Sequence, residues 1–166
     1  AGFHNLLVVS VEPRYAREPI KTALGLLGEG QLSLTKTLIL VGPDVNPRDR
    51  SQVIQAIRQN FDPQTCFHLI ARTAADTLDF TGEATHKGSK MILDVTSGLL
   101  ESRSLNTASV PANIGSIVPG IIKYRLVGET LLVVQTTADG RRLIQKLVDN
   151  PLLGSVKIVV TVSPDV

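Results

Sequence analysis

Residues 36–45 read KTLILVGPDV, and residues 157–166 read KIVVTVSPDV. In the first copy an unbroken apolar run, Leu38 to Val41, meets Gly42, Pro43 and Asp44. Such a run bounded by turn residues suits a strand buried on both faces. The echo extends upstream, since Leu6-Leu7-Val8-Val9 recurs as Leu131-Leu132-Val133-Val134. A helical pattern lies between the strands of each copy. Each copy therefore reads strand, helix, strand, and the sequence predicts an α/β fold built from two similar βαβ units. The sheet is expected to be mostly parallel or mixed, with flanking helices. Two copies are too few for a solenoid.

Composition agrees. The 166 residues suffice for about one domain with a sizeable core. Hydrophobic residues make up 43% and aromatics only 4%, with no Trp, so aliphatic side chains must fill the interior. The net charge of +2 and the lack of a like-charge block exclude electrostatic capture of nucleic acid or membrane. No apolar run approaches the length of a membrane span, and no leader opens the chain. These features predict a cytoplasmic protein without an integral membrane segment. Cys66 is the single cysteine and lies in an apolar run, so it reads as a buried, inert thiol.

Working outward, Pro13 closes a first strand over 4–11. Residues 14–28 hold a helix with Ile20, Ala23, Leu24 and Leu27 on one face and Pro19 near its start. After the TLILV strand, Asn46 is expected to cap a helix that begins at Pro47, with Asp49 in its first turn. Val53, Ile54, Ile57 and Phe61 form its buried stripe, and Asp62-Pro63 stops it. Strands follow over 66–71 and 90–95, separated by a long polar connection over 72–88. Residues 97–120 read as irregular. A hairpin over 121–127 and 130–137 turns at Gly128-Glu129, an imperfect turn sequence. Asp139 caps a short helix carrying Leu143, Ile144, Leu147 and Val148, and the last strand covers 156–162. In the first copy the PDV triplet launches a helix, which predicts that the polypeptide continues past Val166.

Residue chemistry alone assigns no catalytic group and no metal set. His4, His68 and His86 lack ligand spacing with Cys66 or a carboxylate. His68 reads as a satisfied strand residue, and Asp44 and Asp49 as turn and cap residues. Asp79 and Asp94 are the carboxylates placed to act as acid or base. There is no nucleophile elbow and no phosphate loop.

Several segments in order carry more. They are Gly2-Phe3-His4-Asn5-Leu6 followed by VVSV, Thr35-Lys36 before the apolar strand and its D-V-N turn, and Phe61-Asp62-Pro63. Leu78-Asp79-Phe80 and Gly88-Ser89-Lys90-Met91-Ile92-Leu93-Asp94 complete the set. Together they resemble the C-terminal domain of the UbiD-type carboxy-lyases, over roughly Gly2 to Thr96. Departures occur at Val41 to Asp44, where that family carries an acidic run, and at Ala74, Ala75, Glu83 and His86-Lys87. The resemblance divides the chain into a UbiD-like core at 1–97, a linker or crossing segment at 98–120 and a second βαβ unit at 121–166.

The resemblance implies decarboxylation of an aromatic or unsaturated acid, as in ubiquinone or menaquinone biosynthesis. It implies prenylated FMN with a divalent metal and potassium, and a Glu-Arg-Glu proton network. Those groups belong to an N-terminal flavin-binding domain, in the same chain or in a separate subunit. This chain is therefore expected to bind no cofactor and to be inactive alone. Its implied part is closure of the substrate side and assembly of a homo-oligomer. The family's pocket residues correspond to Leu32, Leu34, Leu78 and Phe80. Two other readings stand beside this one: a stand-alone assembly subunit, and a small-ligand module using the loops at the strand ends.

Overall fold

The computed structural model describes residues 5–79, 84–96, 110–149, 153 and 156–165, in two compact units. The first unit is built on a four-stranded sheet of order β1-β2-β4-β3, with β1 at Leu6–Ser10, β2 at Thr37–Val41, β3 at Phe67–Ala74 and β4 at Lys87–Val95. β2 runs parallel to both neighbours, with Thr37 level with Leu6 and Met91. β3 pairs antiparallel with β4 at the edge. The run that decides the fold is buried as expected: Leu38, Leu40 and Val41 are fully enclosed. The α/β class with flanking helices is thus observed, and the sheet is mixed.

Helix α1 (Glu18–Gly28) lays Ala23 and Leu27 on Leu38, Leu40 and Ile92. Pro19 sits in its first turn, where the missing N–H costs nothing. Leu24, expected on the buried face, is 54% exposed. The buried arc passes instead through Pro19, Ala23, Leu26 and Leu27, which rolls Leu24 outward.

Helix α2 (Arg50–Asn60) starts later than its sequence suggests. Asp49, not Asn46, holds its amino end, accepting from the N–H groups of Ser51 at 2.9 Å and Gln52 at 3.3 Å. The Gln52 side chain reaches back to the Asn46 N–H. Asn46 instead closes a local turn by accepting from the Arg48 N–H, so the Pro47 segment winds ahead of the helix. Val53, Ala56, Ile57 and Phe61 are buried, while Ile54 is only partly so. Asn60 ties the far end to β4, donating from Nδ2 to the Val95 carbonyl at 3.0 Å.

The connection expected over 72–88 is shorter, because β3 extends to Ala74 and β4 begins at Lys87. The pairing shifts between Ile70 and Thr73, where Arg72 adopts a φ of 56°. Gly88 is required: a Cβ there would lie 2.9 Å from the Ala75 Cβ.

The second unit holds a separate sheet of order β5-β6-β7, from Ile121–Val127, Leu131–Thr136 and Ile158–Val162. A one-turn helix, α3 (Ile114–Ile117), precedes it. β5 and β6 form the expected hairpin, with Gly128 at φ 54° and Glu129 at φ 51°. Two positive φ values make a mirror-image turn whose twist matches the strands, and Glu129 accepts it without being Gly or Asn. α4 (Gly140–Val148) crosses from β6 to the parallel β7. Asp139 caps it through the N–H groups of Arg141 and Arg142. Leu143 and Leu147 join Leu132, Val134, Val118 and Ile114 of α3 in this unit's core. Val148, expected to be inward, is 65% exposed. The βαβ segments of the two units lie in different sheets.

Candidate functional site

The amino ends of β2 and β4 collect the features that the sequence singled out. A 3-10 turn over Gly30–Leu34 leads into β2. It is closed by Ser33 N–H donating to the Glu29 carbonyl and Thr35 N–H donating to the Leu32 carbonyl. Leu32 projects from it at 38% exposure, and Leu34 is half-buried.

Beneath this turn lies Lys90, with only 6% of its surface exposed. Its ammonium donates to the carbonyls of Ser33 and of Thr35, the latter at 2.9 Å. Burial pushes its pKa down from the ordinary lysine value. The two carbonyls take two of its three donors but do not balance the charge. Lys36, level with Lys90 across the β2–β4 pairing, points to the β3–β4 connection. It meets the Asp79 carboxylate at 2.8 Å, and the Asp79 side chain is 4% exposed. A local turn sets Asp79 inward and its neighbour outward. Asp76 accepts from the Leu78 N–H through its side chain and from the Asp79 N–H through its carbonyl. Leu78 stands 69% exposed.

Of the four pocket candidates, three can be placed. Leu32, Leu34 and Leu78 lie on two segments that the Lys36–Asp79 pair holds at one end of the sheet. Phe80 lies outside the described residues, as do His4 and the rest of the GFHN opening except Asn5. Sequence reading left Lys36 and Lys90 without a role. A lysine is seldom fully buried unless paired, but nothing in the sequence marks Lys90 as buried or Lys36 as paired.

The carboxyl end of the same sheet is different. Asp94 is 1% exposed; its Oδ1 accepts from the Thr96 N–H and hydroxyl, and its Oδ2 has no partner among the described residues. His68, read as satisfied, has a buried Nε2 without a partner among the described residues. It faces Ile92 across the β3–β4 pairing, where the neighbouring strand offers an apolar side chain. Cys66 is buried as expected, with its thiol on the Asn60 carbonyl.

In the second unit, a cleft of about 530 Å³ opens at the carboxyl ends of β6 and β7. Thr136, Gly140, Thr161 and Ser163 line it. The α4 amino end beside it is already occupied by the Asp139 carboxylate.

A flavin phosphate finds little to hold it among the described residues. The three longer helices carry acidic side chains at their amino ends, Glu18, Asp49 and Asp139. The Asp49 and Asp139 carboxylates take the place and the favourable field that a phosphate would use, while Glu18 turns back to Arg14. No three His, Cys, Asp or Glu side chains among the described residues converge in a metal-binding group. No described helix is long and apolar enough to cross a membrane.

Comparison with known proteins supplies the context. The family model of the 3-octaprenyl-4-hydroxybenzoate carboxy-lyase C-terminal domain matches residues 1–95. A 4-hydroxybenzoate decarboxylase subunit from Chlamydia pneumoniae is 47% identical over 93 residues, covering 55% of this chain and 16% of that protein. An uncharacterized protein of Chlamydia trachomatis is 33% identical over 165 residues, covering 98% of this chain and 27% of its own. The chain thus spans 16% and 27% of the lengths of these two relatives.

Among solved structures, the UbiD-class enzyme HmfF from Pelotomaculum thermopropionicum, in complex with FMN, superposes with a TM-score of 0.54 at 19% identity, covering 65% of this chain and 24% of its own. Vanillic acid decarboxylase of Sedimentibacter hydroxybenzoicus in closed form gives 0.54 at 22% identity, covering 66% of this chain and 24% of its own. These two likenesses speak to the fold. With the family model over more than half of its length, the chain belongs to the UbiD carboxy-lyase family and carries that family's C-terminal domain.

Proposed function

We propose that this domain forms the substrate-side wall of a decarboxylase acting on an aromatic or unsaturated acid. Its flavin-binding partner is an N-terminal domain, in the same polypeptide or in a separate subunit. The observation that carries the reading is the exposure of Leu32 and Leu78 on two segments held at one end of the first sheet. Large apolar side chains left in solvent at a braced rim suit contact with the apolar body of an acid substrate.

In this reading the prenylated flavin supplies the electron sink from the partner side, where its metal is also held. Acidic caps at the amino ends of α2 and α4 support the view that this chain does not hold the flavin phosphate. Its own residues cover the ring of the acid, exclude water and leave proton delivery to the partner's groups. Leu34 and Phe80 belong to the proposed wall. A place in ubiquinone or menaquinone formation, a cytoplasmic location and a homo-oligomeric assembly are parts of the same proposal. The first of these rests on the hydroxybenzoate substrate named in the family description.

The test compares the chain alone with the chain joined to its flavin-bearing part. Carbon dioxide release from an aromatic acid is expected only in the joined enzyme. There, Leu78→Ala should raise KM for the acid several-fold while the bound flavin spectrum stays unchanged. Turnover by this chain alone, or an unmoved KM, would reject the proposal.

The cleft at β6 and β7 favours a second reading, a small ligand or nucleotide held by threonine and serine hydroxyls. Titration calorimetry with flavin and adenine nucleotides separates the two. Heat that disappears in Gly140→Val supports the ligand module.

A further inference from the structure

We propose that Lys36 and Asp79 are positioning residues, a latch that fixes the apolar rim to the sheet. The inference rests on the substrate-side reading above. Loop residues that meet a substrate must be held by something stiffer than the loop itself. At this end of the sheet the brace has three parts. Lys90 rises from β4 and ties the carbonyls of Ser33 and Thr35, which fixes the turn bearing Leu32. Lys36 belongs to the sheet, since its carbonyl accepts from the Met91 N–H at 2.9 Å. Its side chain then crosses to Asp79, in the segment that carries Leu78.

Charge and burial favour a fastening over a catalytic role. The Asp79 side chain is 4% exposed and lies against a cation, so it is engaged and set back from solvent. The pair brings opposite charges together beside the exposed Leu32 and Leu78. Chain geometry points the same way. Leu78 and Asp79 are adjacent, and the Asp76 turn sends one outward and the other inward. Holding Asp79 therefore sets where Leu78 stands. The Asp79 end of the pair is buried and the Lys36 end half-buried, so salt screens the contact less than it would a surface pair. Removing Lys36 takes a cation away from a carboxylate whose side chain is 4% exposed, which loosens its hold on the segment.

The test uses the complete decarboxylase with Lys36→Met, Asp79→Asn and the exchanged pair Lys36→Asp/Asp79→Lys. Amide hydrogen exchange of residues 76–79 and the KM and kcat for the acid are measured together. Each single variant should speed exchange in that segment and raise KM by several-fold with kcat largely kept. The exchanged pair should recover part of both. A general loss of folding would speed exchange throughout β1, β2 and β4, and the local readout distinguishes the two. Unchanged exchange at 76–79 in Lys36→Met overturns the latch. Faster exchange with an unmoved KM also overturns it if Leu78→Ala still raises KM, and the substrate-side reading then survives. If Leu78→Ala leaves KM unmoved as well, that reading falls and this inference with it.

Discussion

Lys90 carries an ammonium group into the interior and surrounds it with carbonyls. Burial holds its pKa below the ordinary value of about 10.4. Between the lowered value and ~10.4, the folded state has released the proton and the unfolded state still binds it. Stability contributed by this residue therefore rises with pH across that window. Urea midpoints taken between neutrality and about pH 10.5 should climb more steeply for the parent than for Lys90→Met. Near neutral pH that variant should lose about 1–3 kcal/mol, because two carbonyls give up their donor. Glu18 has the opposite sign. Hydrogen bonds from the Arg14 side chain and N–H hold its carboxylate below the usual range. Its contribution is complete above the unfolded value of about 4.3 and is lost as pH falls through the folded one. Acid titration followed by circular dichroism should show a shallower loss in Glu18→Gln.

At the scale of elements, the β3–β4 hairpin shows what a sequence can hide. The stretch 72–88 carries polar residues and small side chains, which read as loop. Cross-strand pairing recovers both ends of it, to Ala74 and from Lys87, because β4 is long enough to template its neighbour. Gly88 makes the pairing close. Gly88→Ala should destabilise the hairpin by about 1–3 kcal/mol, since its Cβ would press on the Ala75 Cβ. Ala75→Gly in the same chain should restore the thermal midpoint. Helix starts show the same limit. Asn46 and Asp49 are both fit to cap, and Asn46-Pro47 matches the usual pattern better. Asp49 takes the position because the Gln52 side chain can serve the Asn46 N–H only after the chain has turned. The Asp139 cap needed no such partner and was legible from the sequence.

On the scale of the molecule, one apolar cluster among the described residues is built on Leu38, Leu40 and Ile92, and another on Leu132, Val134 and Leu147. Each is closed by its own helix on its own sheet. Leu40→Ala and Leu132→Ala should each cost about 2–5 kcal/mol. Native-state hydrogen exchange should place the loss mainly in β1, β2 and β4 for the first, and mainly in β5, β6 and β7 for the second. Equal loss of protection in both sheets from either variant would show a single cooperative core and overturn this division.

By itself the sequence determined the apolar strands, the approximate helices, the α/β class and the family, because these depend on short-range pattern and on ordered motifs. Leu38 to Val41 had to be buried whatever surrounded them. The candidate rim was only half legible. Leu32, Leu34 and Leu78 were singled out by resemblance, while the lysines that brace them drew no notice. Tertiary structure decided that Lys36 meets Asp79, that Lys90 is interior, and that the two βαβ segments lie in separate sheets. The physical reason is distance along the chain. A charge pair or a sheet edge joins residues tens of positions apart, and no local pattern of hydrophobicity records which of the available partners the folded chain will set beside them.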